Sequence, residues 1–186
     1  MNVLEKDIEE LIFNNIYDTD LMKSKGFKVF ESKYYRQPDL GSYGIPDIVG
    51  VSISYYRNYC RTLNFTIYEL KKDAINVNAL MQASRYVKGI QEILKLVDLK
   101  SLRIEDINFK IVLIGKTIET HGDFVFLCDY IENLILYIYE LDFEKGVKFI
   151  NHQGYHVTDP KPFIITEPIR DLLSGKWHNN PFPDLF

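Results

Sequence analysis

Apolar residues at Leu4, Ile8, Leu11, Ile12 and Ile16 recur at helical spacing and predict an amphipathic helix at the start of the chain. At about 100° per residue, Glu10 points away from that stripe, Glu9 sits at its edge and Glu5 lies within it. A carboxylate at the edge of a buried face needs a partner, a cation or a proton. GFKVFESKYY (26–35) then reads as a strand and the breaker-rich RQPDLGSYGIP (36–46) as a loop. Two runs rich in β-branched and aromatic residues follow, IPDIVGVSISYY (45–56) and TLNFTIYELKK (62–72), and both predict strands. YYRNYCR (55–61) between them is polar and aromatic enough for an extended hairpin tip. From Asn76 to Leu96 the period turns helical, with Ala79, Ala83, Tyr86, Ile90 and Leu94 on one side. NFKIVLIGKTI (108–118) is a buried strand, and FVFLCDYIENLILYIYEL (124–141) accommodates a short helix followed by a strand. GVKFINHQGYHV (146–157) suggests a hairpin partner for that strand, EPIRDLLSGKW (167–177) a short helix, and NNPFPDLF (179–186) an irregular tail.

An antiparallel group of strands, a crossover helix and a further strand make a mixed β-sheet flanked by helices, in the α/β class. The 186 residues suit one domain, 1–186, and show no internal repeat or linker. At 46% hydrophobic and 26% charged residues, the chain can bury a core. No apolar run approaches the roughly 18–20 residues of a membrane-spanning helix. The acidic start shows no secretory pattern, and Cys60 and Cys128 are too few for a disulfide framework or a zinc cluster. The expectation is a soluble cytoplasmic protein with no membrane partner.

The net charge of -4 is unevenly spread: residues 1–40 carry -2, residues 41–100 carry +3 and residues 101–186 carry -5. Such a total argues against sequence-independent coating of nucleic acid but leaves room for a local phosphate-facing site in the middle third. There, Glu69 and Lys71 are two apart on a strand and project from one face. Three other acidic-x-Lys triplets exist, and taken singly each is an exposed ion pair of small energetic worth. Context separates this one. The preceding strand begins Ile45-Pro46-Asp47-Ile48-Val49, and antiparallel pairing brings Asp47 beside Glu69. On the following helix Gln82 and Tyr86 are four apart and face the same way, with Arg85 on the more exposed side. His152 and His156 are also four apart, but Gly154 between them argues against a helical zinc site. No Gly-rich phosphate loop or dinucleotide fingerprint is present.

Pro46-Asp47, Glu69-Leu70-Lys71 and Gln82-Ala83-Ser84-Arg85-Tyr86 resemble the PD-(D/E)XK nuclease superfamily, in the branch with a Gln-x3-Tyr motif. That branch holds RecB-type nuclease domains and archaeal-type endonucleases. EKDIEELIFNN resembles the N-terminal helix of the archaeal-type domain, which matches Glu9 to its acidic position; Glu5, one turn earlier, also faces inward. The resemblance covers a core of about residues 1–120 and implies a restriction-endonuclease-like sheet, with residues 121–186 as a strand-rich C-terminal extension.

The resemblance further implies phosphodiester hydrolysis with Mg²⁺ or Mn²⁺ on nucleic acid, DNA foremost. Asp47, Glu69 and the Leu70 carbonyl would hold the cation, with Glu9 as a further metal-side carboxylate. Lys71 would position water, and Gln82 and Tyr86 would orient the metal shell and phosphate. Lys72 and Arg85 would contact the flanking backbone. The 22-residue interval from Asp47 to Glu69 places Arg57 and Arg61 at the hairpin tip. Two readings of the tip stand level: a nucleic-acid contact, or a tip packed on its own domain. A separate DNA-binding domain is absent from the sequence, so recognition falls to this domain, a homodimer or an accessory subunit. The alternative function is a nucleic-acid-binding or assembly protein on a nuclease fold without cleavage.

Overall fold

The computed structural model describes residues 5–55, 61–120, 124–142 and 146–152, all within one compact unit. Helix α1 (Glu5–Asn15) is followed by α2 (Thr19–Ser24), β1 (Lys33–Arg36) and a 3₁₀ turn at Gly41–Tyr43. β2 (Ile48–Tyr55), β3 (Arg61–Leu70) and the short β4 (Ala74–Ile75) lead into α3 (Val77–Leu94). β5 (Ile104–Gly115), β6 (Thr117–Ile118), α4 (Phe124–Tyr130), β7 (Leu134–Asp142) and β8 (Gly146–Asn151) complete the described chain. Six strands form one mixed sheet in the order β1-β2-β3-β5-β7-β8, and β4 pairs with β6 in a separate parallel ribbon.

The sheet follows from period-2 patterning with a crossover. β1, β2 and β3 pair antiparallel in sequence, β3 and β5 pair parallel across α3, and β5 and β7 pair parallel across α4. β8 then returns antiparallel to β7. The protein is thus a mixed α/β structure with helices on both faces, as the order of elements predicts. Alternation along β3 decides what each face receives. Tyr68 and Leu70 join Ile8, Ile12, Ile16, Met22 and Phe27 on the α1–α2 side. Ile67 joins Ala79, Leu80, Ala83, Tyr86 and Ile90 of α3 on the other. Glu69, next to Ile67 in period, consequently faces α3.

α3 starts where its pattern does because the Asn76 side chain accepts a hydrogen bond from the Ala79 N–H at 3.2 Å. Four of the five residues assigned to its inner stripe are fully buried, and Leu94 is partly so. The expected opening helix also holds from Glu5 onward, and Leu4 lies outside the described residues. β7 and β8 belong to the same sheet and contribute Tyr137, Tyr139 and Phe149 to its core.

Two expectations need correction, and one element carries no sequence signal. Only residues 33–36 of the expected strand 26–35 pair in the sheet. Residues before them satisfy their backbone elsewhere: the Lys28 N–H donates to the Tyr137 hydroxyl at 3.1 Å and the Glu31 N–H to the Tyr34 hydroxyl at 2.8 Å. Gly26, at φ +82°, passes so close to β8 that a Cβ there would lie 2.1 Å from the Phe149 carbonyl oxygen. Helix α2 is too short to leave a periodic signature and is fixed by Asp18, whose carboxylate accepts from the Leu21 N–H at 2.9 Å. The strand expected at 108–118 begins at Ile104 and ends at Gly115, after which Thr117 and Ile118 leave the main sheet for β4. The helix at 167–177, the tail and His156 lie outside the described residues, as do Arg57 and Cys60. Among the described residues no helix is long and apolar enough to cross a membrane.

Candidate functional site

The β2–β3 register pairs Ile48 with Tyr68, which sets Asp47 against Glu69 one step further on. Asp47 turns its Oδ2 to the Leu70 N–H, which donates to it at 2.7 Å. Glu69 is 2% exposed and points toward α3. Lys71, two residues on and on the same face, donates from Nζ to Glu69 Oε1 at 2.7 Å and to Gln82 Oε1 at 3.2 Å. One helical turn later the Gln82 Nε2 donates to the Tyr86 hydroxyl at 2.7 Å. Asp47, Glu69, Lys71, Gln82 and Tyr86, drawn from three elements, therefore stand in one cluster.

The electrostatics of this cluster are unbalanced. Burial pushes the Asp47 carboxyl up to about 6, helped by the charges of Glu5 and Glu9 and opposed by the Leu70 N–H and Lys71. Burial pushes Glu69 up to about 7, the Asp47 charge adds to the effect, and Lys71 opposes it. Burial alone would lower the Lys71 amine, but the Glu69 contact outweighs it and leaves it raised. Among the described residues, Glu69 Oε2 is buried with no hydrogen-bond partner. A buried carboxylate oxygen left in that state carries a desolvation cost that a cation or a proton would remove.

The N-terminal helix supplies two carboxylates one turn apart, and they do different things. Glu9 is 3% exposed, so the carboxylate expected at the edge of the stripe is inside. It is fully engaged: Arg36 Nε donates to its Oε1 at 2.7 Å, and the Gln37 amide donates to Oε1 at 3.2 Å and Oε2 at 3.1 Å. Glu5 accepts from the Lys72 N–H at 2.9 Å and is felt by Asp47, Glu69 and Lys71. Glu9 is felt by Asp47. Glu5 is thus the helix carboxylate set against the Glu69–Lys71 end, and Glu9 faces the loop that leads into Asp47.

The basic residues divide. Lys72 has its N–H on Glu5 and its carbonyl on the Tyr139 hydroxyl, which donates at 2.6 Å, so its backbone is held beside the cluster. Arg85 is exposed and its guanidinium lies over the Tyr86 ring, 5.8 Å from the centroid. Arg61 does not join them. It begins β3, eight residues from Glu69 and about 25 Å away at strand rise. There it donates to the Leu102 carbonyl at 3.2 Å and lies over the ring of Tyr55, itself 69% exposed.

Glu5, Arg36, Gln37 and Tyr139 are site residues that carry no motif. Glu5 had a signal in its inward phase on the helix. Tyr139 had none, because its contact with Lys72 spans 67 residues. Among the described residues no group of three or more His, Cys, Asp or Glu side chains is arranged as a ready metal cage. The donor set at Asp47 and Glu69 nonetheless suits a hard cation. It offers two carboxylates held partly out of water, one with an unpaired oxygen, in a surplus of negative charge that Lys71 only partly offsets. Comparison with protein-family models, curated proteins and solved structures finds no match to this chain.

Proposed function

We propose that the protein is a metal-dependent nuclease of the PD-(D/E)XK type on a restriction-endonuclease-like sheet, hydrolysing phosphodiester bonds with DNA as the expected substrate. The observation that carries the reading is the buried Glu69 with the half-buried Asp47 beside it and Lys71 on the same face, at the end of an antiparallel β2–β3 pair. Asp47 and Glu69 would hold Mg²⁺ or Mn²⁺, with water and the Leu70 carbonyl completing its oxygen shell. When bound, the cation would acidify water and offset charge developing on the scissile phosphate.

The chain's own residues do the rest. Lys71 keeps an ammonium at the reacting position, where it orients water and meets the growing negative charge. Gln82 presents its carbonyl oxygen to Lys71 and its amide nitrogen to Tyr86, so it fixes the amine through a defined amide orientation. With its oxygen accepting from Gln82, the Tyr86 hydroxyl is oriented to direct its own proton elsewhere, and a phosphate oxygen is a suitable acceptor. Lys72 and Arg85 flank the cluster and supply backbone contacts, whereas Arg61 would act only on nucleic acid reaching the far end of β3. A second copy or an accessory subunit would add substrate contacts.

The test is cleavage of supercoiled plasmid and end-labelled single- and double-stranded oligonucleotides with Mg²⁺, Mn²⁺ or EDTA. Metal-dependent cutting that disappears in Asp47→Ala and Lys71→Ala is the expected result. Nucleic-acid binding without cutting at any metal concentration would favour an assembly role on the same fold. Cutting that survives both substitutions would overturn the proposed site.

A further inference from the structure

Gln37 stands out on two independent grounds. It is a non-glycine residue in the left-handed region, at φ 47°, with no glycine-like reason to be there. Its side chain and main chain also reach different parts of the site. The amide nitrogen donates to both carboxylate oxygens of the buried Glu9, at 3.2 and 3.1 Å. The backbone N–H donates to the Asp47 carbonyl at 2.9 Å, which carries the β1–β2 ladder one step past its last pair, Arg36 with Ile48. Strained backbone that persists does so because its surroundings over-determine it, and such positions gather at functional sites. Here the surroundings are Glu9 on α1 and Asp47 at the start of β2.

We infer that Gln37 is a positioning residue for Asp47, with Glu9 as its buried anchor and Arg36 as the second side chain that holds that anchor in place. A buried carboxylate with three charge-assisted or amide hydrogen bonds is a rigid point. Gln37 transfers that rigidity across one backbone hydrogen bond to the residue whose carboxylate meets the Leu70 N–H. Glu9 accordingly acts through Gln37 and Arg36, and its carboxylate is already committed to them. Only the metal-binding arm of the test rests on the nuclease reading; the positional claim stands on the metal-free protein.

The experiment uses the full chain as Gln37→Asn and Gln37→Gly. Both tolerate the left-handed backbone, and neither side chain reaches Glu9, so the strain is spared while the anchor is cut. The first readout is amide hydrogen exchange at Leu70, with the Tyr68 amide of the same ladder as control. Exchange at Leu70 should rise about tenfold or more without a matching rise at Tyr68. The second readout is calorimetric Mn²⁺ binding on the folded variants, well below their melting transitions, which should weaken by about 10–100-fold in addition to the stability lost by orphaning Glu9 Oε2. In the swapped pair Glu9→Gln with Gln37→Glu, the amide and carboxylate exchange places and most of both losses should return. A purely structural role would move melting temperature and leave Mn²⁺ affinity and the swap without effect. If Leu70 exchange stays at the parental rate in both variants, the positioning claim is wrong. If the parent protein takes up no Mn²⁺ that Asp47→Ala abolishes, the nuclease reading fails, and Leu70 exchange still decides the role of Gln37.

Discussion

The raised carboxyls make a stability measurement informative before any substrate is found. Glu69 titrates near 7 in the folded protein against an ordinary value of 4.5. Between those values the folded chain holds a proton that the unfolded chain has released. Linkage then gives stability that is greatest below about pH 4.5, falls as pH rises and levels off above about 7. At 1.36 kcal/mol per decade of pH, Glu69 contributes a loss of about 3 kcal/mol across that window. Asp47, moving from 3.8 to about 6, adds a loss of the same sign centred slightly lower. Because each carboxylate responds to the other, the pair costs more than one alone and less than the sum.

Glu69→Gln isolates the effect. Glutamine imitates the protonated acid in shape and can still accept from Lys71, so the variant should match the parent near pH 4.5. At pH 8 it should be more stable by about 3 kcal/mol, or about 6–12 °C in melting temperature for a chain of this size. Titrating groups outside the cluster are common to both proteins and cancel in the difference, and Asp47, relieved of the Glu69 charge in the variant, shifts the difference in the same direction. Thermal melts in EDTA from pH 4.5 to 8 supply the curve. Adding Mn²⁺ at pH 8 should then close the gap from the parent's side, by about 2.7 kcal/mol at a hundredfold excess over Kd. A difference between parent and variant that is flat with pH, or one that favours the parent as pH rises, refutes the account of this cluster.

Other expected outcomes use separate handles. Lys71→Ala should leave Mn²⁺ bound, or bound more tightly once the neighbouring ammonium is gone, and should abolish cutting in the plasmid assay. Gln82→Ala and Tyr86→Phe act one contact further out and should lower the cleavage rate by about 10–100-fold, read in single-turnover kinetics. Ile12, fully buried against the α1 side of the sheet, should cost about 2–5 kcal/mol as Ile12→Ala in urea unfolding. Gly50→Ala would put a Cβ 2.8 Å from Glu31 Cγ and from Tyr34 Cε1, and the forced shift should cost about 1–3 kcal/mol by the same assay.

What could be read from the sequence follows from what each feature depends on. α3 and the β2–β3 pair announce themselves locally, by period and by a capping Asn76; Glu69, Gln82 and Tyr86 lie on them, and Asp47 and Lys71 directly adjoin the ends of β2 and β3. Their convergence was legible because a hairpin and the helix that follows leave little freedom in where side chains meet. Residues 26–32 misread as strand because their aromatic and β-branched composition is real. It serves packing, with Phe27 against Tyr137 and Phe149, rather than pairing. Tyr139 and Gln37 escaped for a different reason. Their partners are 67 and 28 residues away in the chain, and neither residue type is unusual in a strand or a loop.

The two carboxylates of α1 show why phase alone could not assign them. Glu5 and Glu9 are one turn apart and both turn inward, so the helix offers the same chemistry twice. Their partners break the equivalence. Glu9 meets a guanidinium and an amide from the end of β1, which satisfy both oxygens and make a buried charge tolerable. Glu5 meets a single backbone N–H, at Lys72, and stays coupled to every ionised group of the cluster. One helix is therefore fastened to both routes into the site, the loop before Asp47 and the strand end after Lys71. Removing Glu5 should relax the crowding of negative charge and lower the apparent pKa values of both Asp47 and Glu69 toward ordinary ones, whereas removing Glu9 should lower that of Asp47 alone, strand Arg36 and free the loop. Carboxyl titration of Glu5→Gln and Glu9→Gln by carbon NMR distinguishes these. If the two variants shift Asp47 and Glu69 alike, the division of labour on α1 is wrong.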